Sequence, residues 1–569
     1  MLNQESWARD RGRSGVAIPA VAGLLSLAAG IYVFATTTAM VIHGWSAVPY
    51  WDQWDDLILS PKQVFSPWLY SQHNEHRILF PRLFFAIDTF AFAGTNKFNF
   101  FCNVTLPLTL AGLIILVAHR HISRSITDTL WLAGIVLTLL FSAMQYENFL
   151  WGFEVIYFLV ELAGTAGMIC LVLGQRSLSS LIAAIGFSGI AVYTLAGGII
   201  VPFLAIPIAF LAGRSKKQIA VVAIAAATLL ALYVHGYVSP SGHSNPFRTL
   251  LHPGIVLYAL TELGNPFSLL FQQFHVSYYP YLPFGFGVLG VTLFAAAGLA
   301  YLRPGQTLRQ PELVFLGIAG WFVATAFLTA LGRLKFGYSQ ALSSRYASPM
   351  LLFWLSIAML GAIGVQNRRP GLKPLAMVLS LPVLLMLTYA QSGFVKTGLA
   401  WASPRREAMT ALLANVDDHD ALVSVHPVPQ LVMERAAELR AQHLAVFAEN
   451  WSGWLGTPLA DHVRFANPAE CQGAIDQVTH LPSSGRPQWR VSGWAWDVVR
   501  REAPERIVLA DDAGRVVGYA LTGYPPTPGR PKGSGWLGHF TAEKAASATG
   551  YALADRERTA CRLPAAKPR

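Results

Sequence analysis

Charge is what this sequence has least of. Asp, Glu, Lys and Arg together make up 13% of its 569 residues, about half the share of an ordinary soluble protein. That excludes a conventional globular enzyme whose whole surface faces water. Cysteine is scarce as well: there are four, and no Cys-x-x-Cys pair, which argues against a structural zinc module or a thioredoxin-like redox site. No period of the length that builds solenoids or propellers recurs.

What the chain has in abundance is apolar surface, with 53% hydrophobic residues and a mean hydropathy of +0.43. The net charge of +11 and pI near 9.5 would elsewhere suggest a nucleic-acid partner. Here the basic residues fall in short clusters between apolar runs, as topology signals do, so no nucleic acid is expected. The partner this composition implies is a lipid bilayer.

Residues 16–42 carry no charge and exceed the roughly 30 Å hydrocarbon core at about 1.5 Å per residue. Arg9, Arg11 and Arg13 before them place the N-terminus in the cytoplasm and residues 43–97 outside. Further spans are expected at 98–118, 126–144, 154–173, 178–196, 199–213, 218–235, 282–302, 311–331, 347–365 and 374–391, about eleven in all. Arg120/Arg124, Arg176, Arg214/Lys216/Lys217, Arg303/Arg309 and Arg368/Arg369/Lys373 then lie in alternate loops. Residues 254–271 are apolar enough to cross, but Glu262 and Gly264-Asn265-Pro266 break the pattern. Counting them as a span would invert the charge rule downstream, so a re-entrant or interfacial element is expected.

The fold class is therefore a mainly α polytopic membrane protein, with its membrane domain at 1–400. Residues 401–470 read as a mixed α/β extracytoplasmic segment, with helices at 404–416 and 428–442 around a strand at 421–425. Residues 471–569 alternate apolar and polar between turn signals, as a β-sandwich does. Cys471 and Cys561 bracket that domain, as a disulfide or as two free thiols.

Three polar clusters stand on the outer side, where neither topology nor packing asks for them. The loop 43–97 holds Asp52, Asp55, Asp56, His73, Glu75, His76, Arg77, Arg82 and Asp88 among aromatic residues. "QYENFLWGFEV" offers Glu147, Asn148, Trp151 and Glu154. "GRLKFGYSQALSSRYASP" puts Arg333, Lys335, Arg345 and Tyr346 outside, against the charge rule. Outward arginines suit an anionic ligand, because a guanidinium fork matches phosphate oxygens and stays charged.

Together these residues suit transfer of a sugar from a lipid-linked phosphate. His73, His76, Arg77, Arg333, Arg345 and Tyr346 are the candidates for donor phosphate, and Glu75, Glu147, Asn148 and Trp151 for the sugar or acceptor. A carboxylate would take the acceptor hydroxyl proton. Blander roles stay open: Asp52, Asp55 and Asp56 as helix caps, Glu75 paired with Arg77 or Arg82, His73 and His76 as metal ligands, and Arg345 snorkelling.

On "YWDQWDD", "HNEHR", "QYENFLWGF", "SSRYASP" and the tail "SGWAWD" with "RIVLADDAGRVVG", the chain resembles the GT-C superfamily of integral membrane glycosyltransferases. The resemblance implies a bacterial cytoplasmic-membrane enzyme using a polyprenyl-phosphate sugar donor and a glycan, lipid or protein acceptor. It implies Asp52 as catalytic base, with Asp55 as second choice, and leaves the need for a divalent cation open. A polysaccharide polymerase or ligase, or a lipid-sugar flippase, are the rival classes.

Overall fold

The structure is a computed structural model. It describes residues 4–174, 177–240, 249–276, 281–303, 310–466, 471–483, 485–544, 548–554 and 558–563, with side chains of the opening helix from Pro19 onward. Arg176 and Arg309, and the side chains of Arg9, Arg11 and Arg13, lie outside the described residues.

The chain forms two compact units: one of residues 1–44, 62–84 and 99–399, the other of 45–61, 85–98 and 400–569. The first is helical. Among the described residues nine helices are long and apolar enough to cross a membrane, from Pro19–Gly44 to Pro370–Ala414. The count differs from eleven at one place. The expected spans at 178–196 and 199–213 are the helices Leu178–Val192 and Ile200–Leu211, of 15 and 12 residues. The longer reaches about 22 Å, short of the hydrocarbon core. Apolar composition alone did not reveal that Tyr193–Leu195 and a 3-10 turn at Ala196–Ile199 interrupt the run.

The ambiguous stretch is broken where expected. Helices Gly254–Leu263 and Asn265–Gln272 meet at Gly264 with a bend of 59°. Asn265 Nδ2 donates to the carbonyls of Ala341 (2.9 Å) and Ser343 (3.0 Å), which fixes the second half. Close backbone approach sets the bend: a Cβ on Gly264 would stand 1.8 Å from the Pro283 carbonyl oxygen, and one on Gly287 1.8 Å from that of Leu260. Small residues give membrane helices this proximity.

In the second unit, Pro404–Ala414 and Pro429–Ala441 are helical as expected. The expected strand at 421–425 is instead a helix, His419–Val423, because Asp418 caps it by accepting from the Ala421 amide (3.3 Å), and an aspartate cap outweighs a short β-branched run.

The expected sandwich is one sheet. Two short strands, β1 (Gln72–His73) and β2 (His76–Arg77), form a hairpin in the first unit; those of the sheet are β3 (Arg464–Phe465), β4 (Cys471–Leu481), β5 (Gln488–Asp497), β6 (Arg506–Ala510), β7 (Val516–Tyr524), β8 (Gly535–Thr541), β9 (Thr549–Ala554) and β10 (Thr559–Arg562). They run in the order β3-β10-β9-β6-β7-β8-β5-β4. Alternation marks one face of a strand as buried, but not what covers it or whether the other face is covered too. Here Ile507, Leu509, Trp536 and Phe540 fill one side, while Val508, Tyr519 and Leu521 pack with Ala408, Leu412 and Val432 of the helices. A Cys471–Cys561 disulfide joins β4, at one edge, to β10, next to the other edge, with Cα atoms 6.0 Å apart. The sheet is therefore curled far enough for its ends to meet, and the bond closes a 90-residue separation.

Two tests follow from this packing. Under denaturing, non-reducing conditions two thiols, Cys102 and Cys170, should react with a maleimide and four after reduction; Cys471→Ser should lower unfolding stability by about 2–4 kcal/mol, read by tryptophan fluorescence. Gly264→Ala should destabilise the helical unit by about 1–3 kcal/mol through overpacking. Gly112→Ala, with nothing within 4 Å of the added carbon, should leave the thermal midpoint unchanged.

Candidate functional site

The site is built on a two-residue hairpin. β1 (Gln72–His73) and β2 (His76–Arg77) pair antiparallel, His73 opposite His76. Asn74 at φ 47° makes the tight turn, a conformation asparagine tolerates better than most residues. The turn leaves Glu75 at the tip. Tyr233 Oη donates to the Glu75 carbonyl (2.7 Å), and Arg77 Nε donates to the Tyr233 carbonyl (2.7 Å). Arg77 also donates to the carbonyls of Tyr70 and His235 and lies 4.6 Å from the Tyr70 ring centre. Three backbone acceptors and an aromatic face make Arg77 the brace of the hairpin, a different role from the phosphate contact expected of it.

The Glu75 carboxylate meets Arg333, the last residue of the helix Gln310–Arg333, in a hydrogen-bonded ion pair. His76 Nε2 lies 3.5 Å from the same carboxylate oxygen, and its Nδ1 accepts from the Ala196 amide (3.2 Å). That bond puts the imidazole proton on Nε2, facing Glu75.

Glu75, His76 and Arg333 line a cavity of about 280 Å³, near the lower limit of small-molecule pockets. Glu75, His76, Arg333, Glu262, the four tyrosines Tyr157, Tyr233, Tyr237 and Tyr346, and Thr325 and Thr329 are among its polar groups, and Leu195, Ile199, Leu230, Val234, Leu328 and Leu331 are among its apolar ones. Tyr157 and Pro349 belong to the first turns of Val155–Leu173 and Ala347–Arg368, so two helix N-termini, with their partial positive charge, border the space.

Arg345 is half-buried, with its guanidinium 5.5 Å from the Tyr346 ring centre and within the electrostatic reach of Glu154, Glu147 and Tyr157. Asn148 Nδ2 donates to the Arg345 carbonyl (2.9 Å) and the Glu147 amide to Ser344 Oγ (3.3 Å). The two sequence clusters at 145–155 and 332–349 therefore lock together through hydrogen bonds between backbone and side chain. Trp151 is buried, and its carbonyl accepts from Asn103 (3.0 Å). His73 is buried against the Phe153 ring at 5.2 Å. Glu75, His76, Arg333 and Tyr346 line the cavity; His73, Arg77, Glu147, Asn148, Trp151 and Arg345 are not among its lining residues.

Asp52 and Asp55 belong to the second unit, at the two ends of a one-turn helix. Trp51 before them has φ 47° and ψ −120° and donates its amide to the Val425 carbonyl (2.8 Å). A tryptophan is held in that region only when its surroundings impose it, a kind of strain that gathers at functional sites. Asp55 lies 3.7 Å from His426 Nε2.

Sequence reasoning missed Tyr157, Tyr233, Tyr237 and the Thr325/Thr329 pair as cavity residues. It met Glu262 only as an obstacle to a span, although an ionisable residue inside an apolar stretch is itself a functional signal.

Among the described residues one group of three metal-type ligands comes together, Glu407, Asp418 and His539, in the second unit. Its cation is Arg490, which holds Asp418 through Nε (2.7 Å) and Nη2 (2.6 Å) and stands 3.4 Å from Glu407. Burial alone would raise the pKa of Asp418; hydrogen bonds to His539 (2.8 Å) and Arg490 outweigh it and hold the carboxyl well below the usual range. Such a group stabilises the fold above its unfolded pKa near 4 and loses that contribution as pH falls through the folded value. Asp418→Asn should therefore lower the thermal midpoint at pH 7, and its deficit relative to wild type should shrink as pH drops below about 4.

Comparison with protein-family models, with curated proteins and with solved structures gives no match for this chain.

Proposed function

We propose that the protein is an integral membrane glycosyltransferase of the GT-C type, which moves a sugar from a polyprenyl-phosphate donor to a glycan, lipid or protein acceptor on the extracytoplasmic side of a bacterial cytoplasmic membrane. The observation that carries this reading is the cavity lining: apolar residues suited to a lipid, together with an arginine, a histidine, Glu75 and four tyrosines. The Glu75 ion pair engages Nη2 of Arg333, and a guanidinium has five N–H donors. Donors therefore remain for a phosphate, and the arginine is already oriented to receive it.

In the reaction the acceptor oxygen attacks the anomeric carbon, the bond from that carbon to the phosphate oxygen breaks, and polyprenyl phosphate leaves with the electron pair. Arg333, aided by Arg345 and the helix N-termini, stabilises the charge that develops on the leaving phosphate. The acceptor proton goes to a carboxylate, which the GT-C resemblance assigns to Asp52. The N-terminus would be cytoplasmic. The two short apolar helices leave that topology unaltered, because a helical pair that crosses twice or not at all returns the chain to the same side.

A flippase or transporter for lipid-linked sugar is the second reading. It is favoured by Glu161 and Glu262, buried carboxylates within apolar helices, and by the broken helix at Gly264, features that transporters also use. Purified protein in vesicles, supplied with labelled polyprenyl-phosphate sugars and an envelope extract as acceptor, separates the two. The enzyme reading expects label to pass to the acceptor, Asp52→Asn to abolish transfer by at least a hundredfold, and Arg345→Ala to weaken donor binding. Movement of intact donor across the bilayer, without transfer, contradicts it.

A further inference from the structure

Glu262 lies in the last turn of the helix Gly254–Leu263, the first half of the broken pair, and lines the cavity. Its side chain is almost completely buried, and its Oε2 has no hydrogen-bond partner. One turn earlier on the same face, Tyr258 is fully buried and its Oη is also without a partner. Thr329, beside Glu262, lies one turn before Arg333 on the helix Gln310–Arg333 and lines the same cavity. Buried polar atoms are nearly always satisfied by protein, water or ligand. Two unsatisfied groups on one helix face, one of them lining the cavity, mark the place of a polar ligand group.

The spacing says which group. Glu262 sits at the level of Thr329, so it stands about one helical turn, roughly 6 Å, from the Arg333 level. That is the offset of a sugar ring from the phosphate that carries it. Resting on the proposed function, we infer that Glu262 is the hydroxyl-reading residue of the cavity: its free carboxyl oxygen hydrogen-bonds a hydroxyl of the sugar whose phosphate is held at Arg333. Tyr258 supports it from the preceding turn. A carboxyl has both an acceptor and, when protonated, a donor to offer a hydroxyl. A site built to bond a hydroxyl discriminates against a ligand that lacks it, since its own polar group is then left unpaired.

The test measures binding to the full-length protein in nanodiscs. The probes are a polyprenyl monophosphate and its glucosyl, galactosyl and arabinosyl esters. Wild type should bind at least one ester about tenfold or more tighter than the bare lipid phosphate. Glu262→Leu should remove that margin, Glu262→Gln should keep part of it, and Tyr258→Phe should reduce it, all with the affinity for bare polyprenyl phosphate unchanged. Thermal midpoints near wild type show that each variant folds.

Retention of the full margin in Glu262→Leu overturns the inference and leaves the proposed function standing. So does an equal loss of both ligands in that variant, which marks a purely structural residue, or a wild type that binds esters and bare phosphate alike. Failure of every lipid-phosphate probe to bind the wild type overturns the proposed function itself, and the inference with it.

Discussion

The ion pair between Glu75 and Arg333 is the constraint around which the helical unit is arranged. A charge withdrawn from water is tolerable only when it is paired and hydrogen-bonded, and each partner here comes from a different kind of element. Arg333 arrives at the end of a 24-residue helix. Glu75 arrives at the tip of a two-residue hairpin. Long helices are stiff, so the hairpin must be fixed where it can meet Arg333, and Arg77, Tyr70 and Tyr233 do this by tying it to the end of the helix Lys216–Val234 through backbone carbonyls and ring faces. The cost of burying one guanidinium, Arg77, is met by structural hydrogen bonds. A second, Arg333, keeps donors beyond those its carboxylate uses.

The same logic explains the aromatic character of the cavity. Tyrosine presents an apolar ring and one polar atom, so Tyr157, Tyr233, Tyr237 and Tyr346 can wall the space without adding fixed charge beside the two glutamates. Their hydroxyls supply weak, adjustable partners near a strong fixed one. Pairing one firm ionic anchor with neutral hydrogen-bonding walls suits a ligand with a charged group at one end and hydroxyls or hydrocarbon beyond it.

Much of this was legible in the residues. Arg333, Arg345, Glu75 and His76 stood out because charge in an apolar chain needs a reason, and the structure sets Glu75, His76 and Arg333 around one cavity. Gly264-Asn265-Pro266 announced the break in its helix, since those residue types disrupt helical hydrogen bonding wherever they fall together. What could not be read was anything set by distant packing. Arg77 and Arg333 are chemically alike, and only the backbone carbonyls waiting near Arg77 make it a brace of the hairpin. The strand expected at 421–425 lost to one capping aspartate. The single curled sheet replaced a sandwich because helices, not a second layer of strands, cover one of its faces. Residues 178–211 have the composition of two spans and the lengths of neither.

The most direct measurement is photocrosslinking of the full-length protein in membranes with a polyprenyl phosphate that carries a diazirine next to the phosphate, followed by peptide mapping. Adducts should concentrate on Tyr157, Tyr233, Tyr237 and the 328–333 turn, and excess unlabelled lipid phosphate should compete them away. Adducts confined to the outer surfaces of the spans, or labelling that unlabelled lipid phosphate does not reduce, would contradict a phosphate-receiving cavity at Arg333.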